Sequence, residues 1–285
     1  MSRAPAVLTS GPAQDLHPHS WTLIMRTREI QTGPGKKRTV YIVSGKERRA
    51  YVRLARKLAK FERELATRQG VADVAHGFVA GRSPVTMATA HIGYDVTVSL
   101  DLSNWFESVH LMQLVEAGIS PDHAAKCCVG DVVRQGLPTS PAAANIAGVA
   151  LDALIVGTIR SWGAHPICYT RYADDLTISW RPVHLLYAPD MPKIVAALVA
   201  QMGWQLNERK TSIQYASAGR RIICGLSVGE TDVRATRAVR HRLRACQHAR
   251  PGTPQTRGLA EWAACKLPGH RLSVPQFTRT ITREE

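Results

Sequence analysis

Acidic side chains are in short supply. In 285 residues, 22 Asp and Glu stand against 37 Lys and Arg, a formal net charge of +15. That imbalance disfavours cationic partners and points to a polyanion, because phosphate neutralisation dominates nucleic-acid affinity. The six cysteines (Cys127, Cys128, Cys168, Cys224, Cys246 and Cys265) never stand in C-x-x-C spacing. This excludes a zinc-ribbon pattern and a disulfide framework, and they read as buried thiols in a reducing compartment. The N-terminus lacks the apolar core of a signal peptide. No run reaches about 18 apolar residues, because Asn145 and Asp152 interrupt the most apolar region. A cytoplasmic protein without a membrane partner is expected. Internal repeats and low-complexity tracts are missing too, and 45% hydrophobic residues make the chain globular rather than disordered.

Three of the scarce acids sit where a lone carboxylate is hard to keep. In Thr170 to Trp180, apolar residues flank Ala173-Asp174-Asp175, with Leu176, Ile178 and Trp180 alternating after it. That is the period of a strand with one buried face, and the poor strand formers between read as a hairpin tip. Adjacent carboxylates repel there unless a cation compensates, and hard oxygen donors suit magnesium or manganese. Upstream, Val96 to Leu102 reads as a largely buried strand with Asp101 near its carboxyl end, a liability without a ligand or partner. Placed on one antiparallel sheet, these carboxylates can hold two divalent ions. Such a pair activates an attacking hydroxyl and stabilises the leaving oxygen of a phosphoryl displacement. In a strongly basic protein this suggests polynucleotide synthesis or cleavage.

The rest of the chain is read around these stretches. Residues 1–20 lack periodicity and are expected to form a mobile tail. Gly33 to Arg38 is a glycine-rich turn with three cations, suited to lie over phosphates, and it feeds a strand through Val43. Lys46 to Gln69 predicts a helix with Tyr51, Leu54, Leu58, Phe61 and Leu65 on one face and Arg and Lys on the other. His76 to Ser83 predicts a loop carrying Arg82. Further helices are expected from Trp105-Phe106 through Ala117, from the Ser140-Pro141 start signal to about Ile159, and from Met191 to Met202. Strands are expected over Ser212 to Tyr215 and, unbroken, over Arg221 to Val228. A helix over Val233 to His248 sets Val239, Leu243 and Cys246 against a cationic face of Arg237, Arg240, His241, Arg244 and His248, read as a nucleic-acid-binding surface. Short helices near Gly258 to Lys266 and Val274 to Arg283 close the chain.

Six stretches in order resemble the motifs of bacterial reverse transcriptases of the retron and group II intron type. They are His76-Gly77-Phe78 with Gly81-Arg82-Ser83, then Ser99 to Phe106, Gln135 to Pro141, Tyr172-Ala173-Asp174-Asp175, Asn207 to Thr211, and Ile223-Cys224-Gly225-Leu226. The resemblance implies an α+β right-hand polymerase: fingers over 21–93, a palm with an antiparallel sheet over 94–228, and a short helical thumb over 229–285. It implies that Asp101 and Asp174 are the principal metal ligands, with Asp175 and the Leu102 carbonyl supporting two Mg2+ ions, Mn2+ being the alternative. Phe106 takes the place of the bulky residue at the 2′ position of the incoming nucleotide. Arg38 and Arg82 would hold its triphosphate, Gln135 and Gly136 would line its pocket, and Lys210 would contact phosphates or protonate pyrophosphate.

The implied activity is RNA-directed DNA synthesis from dNTPs on a structured noncoding RNA that supplies template and primer, passing through an RNA–DNA hybrid. The setting would be retron DNA synthesis in phage defence with a separate effector protein. Two positions depart from the retron pattern: Met87 stands where Asn precedes Ala-x-x-His91, and Cys224 stands where Val-Thr-Gly has Thr. Other defence-type reverse transcriptases, a palm-fold nucleotidyl cyclase and a non-catalytic RNA-binding protein that keeps the fold are the competing readings.

Overall fold

The computed structural model describes residues 25–33, 35–163, 166–181 and 188–265. The expected N-terminal tail and the helix over Val274 to Arg283 lie outside the described residues. The chain opens with an antiparallel hairpin, β1 (Met25–Gly33) and β2 (Lys36–Val43), which carries the basic glycine-rich turn. Ser44 then leads into α1 (Gly45–Arg68), whose Tyr51, Leu54, Leu58 and Ala66 are buried along one side. The next element, α2 (Pro84–Ala90), was not anticipated. Its signal is present in the sequence. Ser83 and Thr86 form a reciprocal capping box, and Pro84 occupies the first turn, where its missing N–H has no helical partner.

From there the chain enters its central sheet through β3 (Val96–Asp101). The helix expected from Trp105 to Ala117 is broken into α3 (Trp105–Ser108) and α4 (Leu111–Glu116), with Val109 extended between them. A short α5 (Pro121–Ala125) and a small ladder of β4 (Cys128–Val129) and β5 (Val132–Val133) lead to α6 (Ser140–Ser161). Ser140 is the first helical residue rather than the cap; its hydroxyl donates to the Arg134 carbonyl at 2.5 Å. β6 (Ile167–Tyr172) and β7 (Asp175–Trp180) form the carboxylate hairpin, and α7 (Met191–Gln201) and β8 (Ser212–Tyr215) follow as expected.

The strand expected over Arg221 to Val228 is instead a hairpin of β9 (Arg221–Ile223) and β10 (Leu226–Val228). Cys224 and Gly225 turn the chain at φ +46° and +73°, the signs of a type I′ turn. β11 (Val233–Ala235) pairs with β10, so the helix expected from Val233 starts later, as α8 (Arg237–Ala249) capped by the Thr236 hydroxyl. α9 (Pro254–Ala263) begins at Pro254 with Thr253 as its cap.

The central sheet has strand order β6-β7-β3-β8, antiparallel throughout. Its period-2 faces differ in chemistry. Val98, Leu100, Leu176, Ile178, Trp180 and Tyr169 join residues of α6 and α7 in the main core. α6 is long and apolar enough to cross a membrane, but two thirds of it is buried, 67% of the window, as the core helix beneath this sheet. The opposite face is polar. His91 at the end of α2 places Nδ1 2.8 Å from Ser179 Oγ and Nε2 2.7 Å from Thr170 Oγ1. Arg221 of β9 donates to Thr97 Oγ1 at 3.0 Å and to the His91 carbonyl at 2.8 Å. Hydrogen bonds thus fasten α2 and β9 to this polar face, beside an apolar contact of Tyr172 with the cluster of Val85, Met87, Ala88 and Ile223.

Burial pulls the His91 imidazole down to about 3, with His76 and Arg221 adding to the effect, and burial beside Arg82 does the same to His76. Both rings therefore stay neutral in the folded protein at a pH where the unfolded chain takes up protons. Their stabilisation is complete above about pH 6.5 and is lost as pH falls towards 3. Acidification from pH 6.5 to 5 should cost about 2 kcal/mol for each histidine. Urea unfolding of the parent and of His91→Gln at pH 7 and pH 5 checks this: the variant, less stable at pH 7, should lose less on acidification.

Candidate active site

The hairpin of β6 and β7 closes through Ala173 and Asp174, with Tyr172 paired to Asp175. Ala173 sits at φ +56°, a left-handed conformation that costs a residue with a Cβ about 1–2 kcal/mol. Three contacts hold it there. Leu102 N–H donates to the Asp174 carbonyl at 2.9 Å, and the Arg171 guanidinium reaches the Ala173 carbonyl at 3.4 Å. Gly77 lies flat against the tip; a Cβ on it would stand 2.4 Å from the Ala173 nitrogen, so only glycine fits.

Arg171 is itself fully buried. Its Nε and Nη2 donate to Asp152 of α6 at 2.9 and 2.8 Å, and Nη1 donates to Asn145 Oδ1 at 3.0 Å. Tyr169 OH donates to the same Asp152 at 2.8 Å, and Asn145 Nδ2 returns to the Gly77 carbonyl at 2.9 Å. The guanidinium lies 5.7 Å from the Trp105 ring centre. Gly148 leaves room for it, since a Cβ there would meet Nη2 at 2.6 Å. A buried ion pair with every polar atom engaged is costly to break, at about 3–5 kcal/mol. This one ties α6, α3 and the Gly77 loop to the hairpin.

Sheet register then brings the acids together. Asp101, the last residue of β3, is paired with Asp175, and Asp174 lies at the tip beside them. Asp101 is buried, and its Oδ2 accepts from Lys210 Nζ at 2.7 Å. Asp175 is open to solvent on one side but walled on the others. That partial burial, with repulsion from Asp174 and Asp101, pushes its carboxyl up to about 6 against the pull of Lys210. Asp174 is raised in the same way, by burial and by Asp101; its own backbone amide, Lys210 and Arg38 act in the opposite sense. The three therefore form a site short of positive charge. Among the described residues no three carboxylate, imidazole or thiol groups are gathered tightly enough to grip a metal. The donor set fits a hard divalent cation in kind, and Lys210 supplies part of the missing charge.

A cavity of about 820 Å³ opens in front of the acids. Asp101 to Glu107, the hairpin tip, Asn207 and Lys210 form its floor, while Lys37, Arg38, Thr39 and Tyr41 of β2 form the opposite wall. The Gln135 carbonyl accepts from Tyr41 N–H at 2.8 Å. Gly136, at φ +101°, lets this loop meet β2, because a Cβ would come within 2.4 Å of the Tyr41 carbonyl.

The structure thus gathers Asp101, Leu102, Asp174, Asp175, Lys210, Arg38, Phe106 and Gln135 around one cavity, with Gly136 just behind. Arg82 departs from expectation. It does not line the cavity but donates to the Ala75 carbonyl at 2.6 Å and to Asp73 at 3.0 Å, where a local acid outcompetes a distant one. Arg237, Arg240, His241, Arg244 and His248 lie outside the cavity, exposed along α8. Phe78, Arg134 and Tyr172 also line the cavity; Phe78 and Tyr172 stand in the motif stretches but carry no role assigned from the sequence. Phe78, at φ +62° and 49% exposed, stands 6.2 Å from the Phe106 ring. Its sequence signal is its place in the His76-Gly77-Phe78 motif stretch. Met87 and Cys224, the two departures from the motif pattern, touch each other, Sγ 3.3 Å from Sδ.

Comparison with known proteins agrees with this geometry. Residues 31–234 match the family described as reverse transcriptase (RNA-dependent DNA polymerase). The chain is 33% identical over 210 residues to the Retron Mx65 reverse transcriptase of Myxococcus xanthus, covering 65% of this chain and 48% of that protein. It is 31% identical over 186 residues to the Retron Ec86 reverse transcriptase of Escherichia coli, covering 60% and 54%. The chain spans about half the length of these curated relatives. Among solved structures it resembles telomerase from Candida albicans in complex with a fragment of telomeric RNA. The TM-score is 0.57 at 10% identity, over 78% of this chain and 50% of that one. Apo telomerase from Candida tropicalis, truncated of its C-terminal domain, gives 0.53 at 12%, over 74% and 55%. At such identities the likeness speaks for the fold alone, an α+β right-hand polymerase.

Proposed function

The chain belongs to the reverse transcriptase (RNA-dependent DNA polymerase) family, and from that premise we propose that it is a retron-type RNA-directed DNA polymerase. The observation that carries this reading is the register pairing of Asp101 with Asp175 beside Asp174, on the floor of a cavity walled by Lys37 and Arg38. Acid on one side and base on the other is the arrangement that a nucleoside triphosphate needs, with its phosphates spanning the gap.

Mg2+, or Mn2+ in its place, held by Asp101, Asp174 and Asp175 with the Leu102 carbonyl, would supply Lewis acidity to the attacking hydroxyl and the leaving oxygen. The chain's own residues do the rest. Lys210, half exposed and bonded to Asp101, is free to exchange that carboxylate for a phosphate, because such a pair in partial contact with water contributes little. Arg38 faces the triphosphate from β2. Phe106, backed by Phe78, closes the sugar end of the cavity against a 2′ hydroxyl. Gln135, held to β2 through its carbonyl, lines the base side, and Gly136 permits that contact. Arg82 would first have to leave Asp73 in order to reach a phosphate.

The cationic face of α8 follows the emerging RNA–DNA hybrid. Template and primer come from a structured noncoding RNA, with priming from an internal 2′ hydroxyl. The retron relatives support the retron-type reading from which that assignment follows, while Met87 and Cys224 depart from the retron pattern. A cytoplasmic role in phage defence with a separate effector protein completes the proposal.

Asp174→Asn should reduce deoxynucleotide incorporation on a primed RNA template by at least about 10²–10³-fold. The same change should raise the thermal midpoint in chelator, since it relieves repulsion at the tip. Substantial incorporation by the folded variant would overturn the metal-site assignment of Asp174, and a parent that incorporates nothing would leave the non-catalytic RNA-binding reading. Phe106→Val should shift the ratio of ribo- to deoxynucleotide incorporation by about 10-fold or more towards ribonucleotides, the scale of one apolar contact at a specificity wall. An unchanged ratio in single-nucleotide kinetics would return Phe106 to a packing role. Replacing Arg237, Arg240 and Arg244 with Gln should lower the salt slope of hybrid binding by about 2 to 3, at roughly one counterion per lost contact. Parallel slopes in a salt titration would place the hybrid elsewhere.

A further inference from the structure

A second row of cations lies on α1. Arg49, Arg53, Arg56, Lys60 and Arg63 follow at spacings of four, three, four and three. At 100° per residue they fall within a sector of about 80°, and they span about 21 Å of helix. All five are exposed, and the sector lies opposite the buried Tyr51, Leu54 and Leu58. Lys60 has Glu64 at 3.7 Å; among the described residues Arg49, Arg53 and Arg56 have no hydrogen-bond or ion-pair partner. Like charges three and four residues apart destabilise an isolated helix by about 0.2–0.5 kcal/mol per pair. Here they are held in line by a helix that packs along α6.

The direction of the row is set by packing. Tyr51, near the start of α1, shares a small core with Val43 and Leu137, next to the Gln135–Gly136 wall of the cavity. At the other end, Arg160 near the end of α6 donates to the Gly70 carbonyl. The row therefore starts beside the cavity and runs away from it along the outer surface. None of its residues lines the cavity, and no exposed large apolar side chain interrupts it.

We propose that this face of α1 is a docking track for the phosphate backbone of double-stranded RNA outside the polymerase cavity. The proposal rests on the RNA-directed reading above. Single strands are held by aromatic platforms on which bases stack, and α1 exposes none. A-form duplexes are recognised through shape and phosphates, and a straight row of fixed guanidinium groups suits that contact. A helical stem of the RNA that supplies template and primer is the occupant.

The test is the triple replacement of Arg49, Arg53 and Arg56 by Gln, which keeps helix propensity and breaks no contact. Binding of a 20-base-pair RNA hairpin is followed by fluorescence anisotropy from 50 to 300 mM KCl. Affinity at 150 mM should fall at least about 10-fold and the salt slope by about 2 to 3. Single-nucleotide incorporation on a short pre-annealed RNA template and DNA primer should stay within about twofold of the parent. Unchanged affinity and slope would overturn the proposal. So would a parent that binds a 20-nucleotide unstructured RNA as tightly as the hairpin. Vesicles containing phosphatidylserine provide a further arm: loss of vesicle binding in the triple variant with hairpin binding intact would assign the track to a membrane surface and overturn it. If the parent incorporates no nucleotide yet hairpin binding depends on α1, the polymerase reading fails and the track stands.

Discussion

The buried pair of Arg171 and Asp152 is the contact on which the site depends. The hairpin tip needs a left-handed alanine, a glycine pressed against it and two adjacent carboxylates, and each of these is unfavourable alone. Arg171 draws them under one constraint. Through Asp152 and Asn145 it is anchored to α6, through Asn145 to the Gly77 carbonyl, and directly to the Ala173 carbonyl. Its five donors in a planar fork are what permit so many fixed directions at once, a geometry that lysine cannot supply.

Charge is distributed by the same logic of compensation. A protein with a net +15 keeps three carboxylates within one cavity, where burial and then charge repulsion raise the proton affinity of Asp174 and Asp175. Lys210 offsets part of that cost through its bond to Asp101. Most of the positive charge lies elsewhere, in exposed rows on α1 and α8 that touch little of the protein itself. The two exposed basic rows and the acidic floor thus occupy separate parts of the molecule.

Local signals in the chain were legible where one element sufficed to carry them. The limits of β8 and the hairpin of β6 and β7 follow from composition and period. Failures fell where a turn was hidden in an apolar run or a cap was overlooked. Cys224-Gly225 lacks the usual Asn or Asp of a type I′ turn, so Arg221 to Val228 looked like one strand. α2 was missed although Ser83-Pro84 carries the same start signal that was read at Ser140-Pro141. The helix over Val233 to His248 was drawn too long because β11 exists only by pairing with β10.

The sequence by itself determined the family, the identity of the three acids and their placement at a strand end and a hairpin tip, because those features are written in contiguous residues. Only the tertiary structure decided which partners they meet. Lys210 reaches Asp101 from 109 positions away, and Met87 meets Cys224 from 137. Phe78 comes to face Phe106, and Arg82 turns to Asp73 rather than to the cavity. Such pairings depend on sheet register and on which loop folds over which strand, and no local period in the chain encodes either.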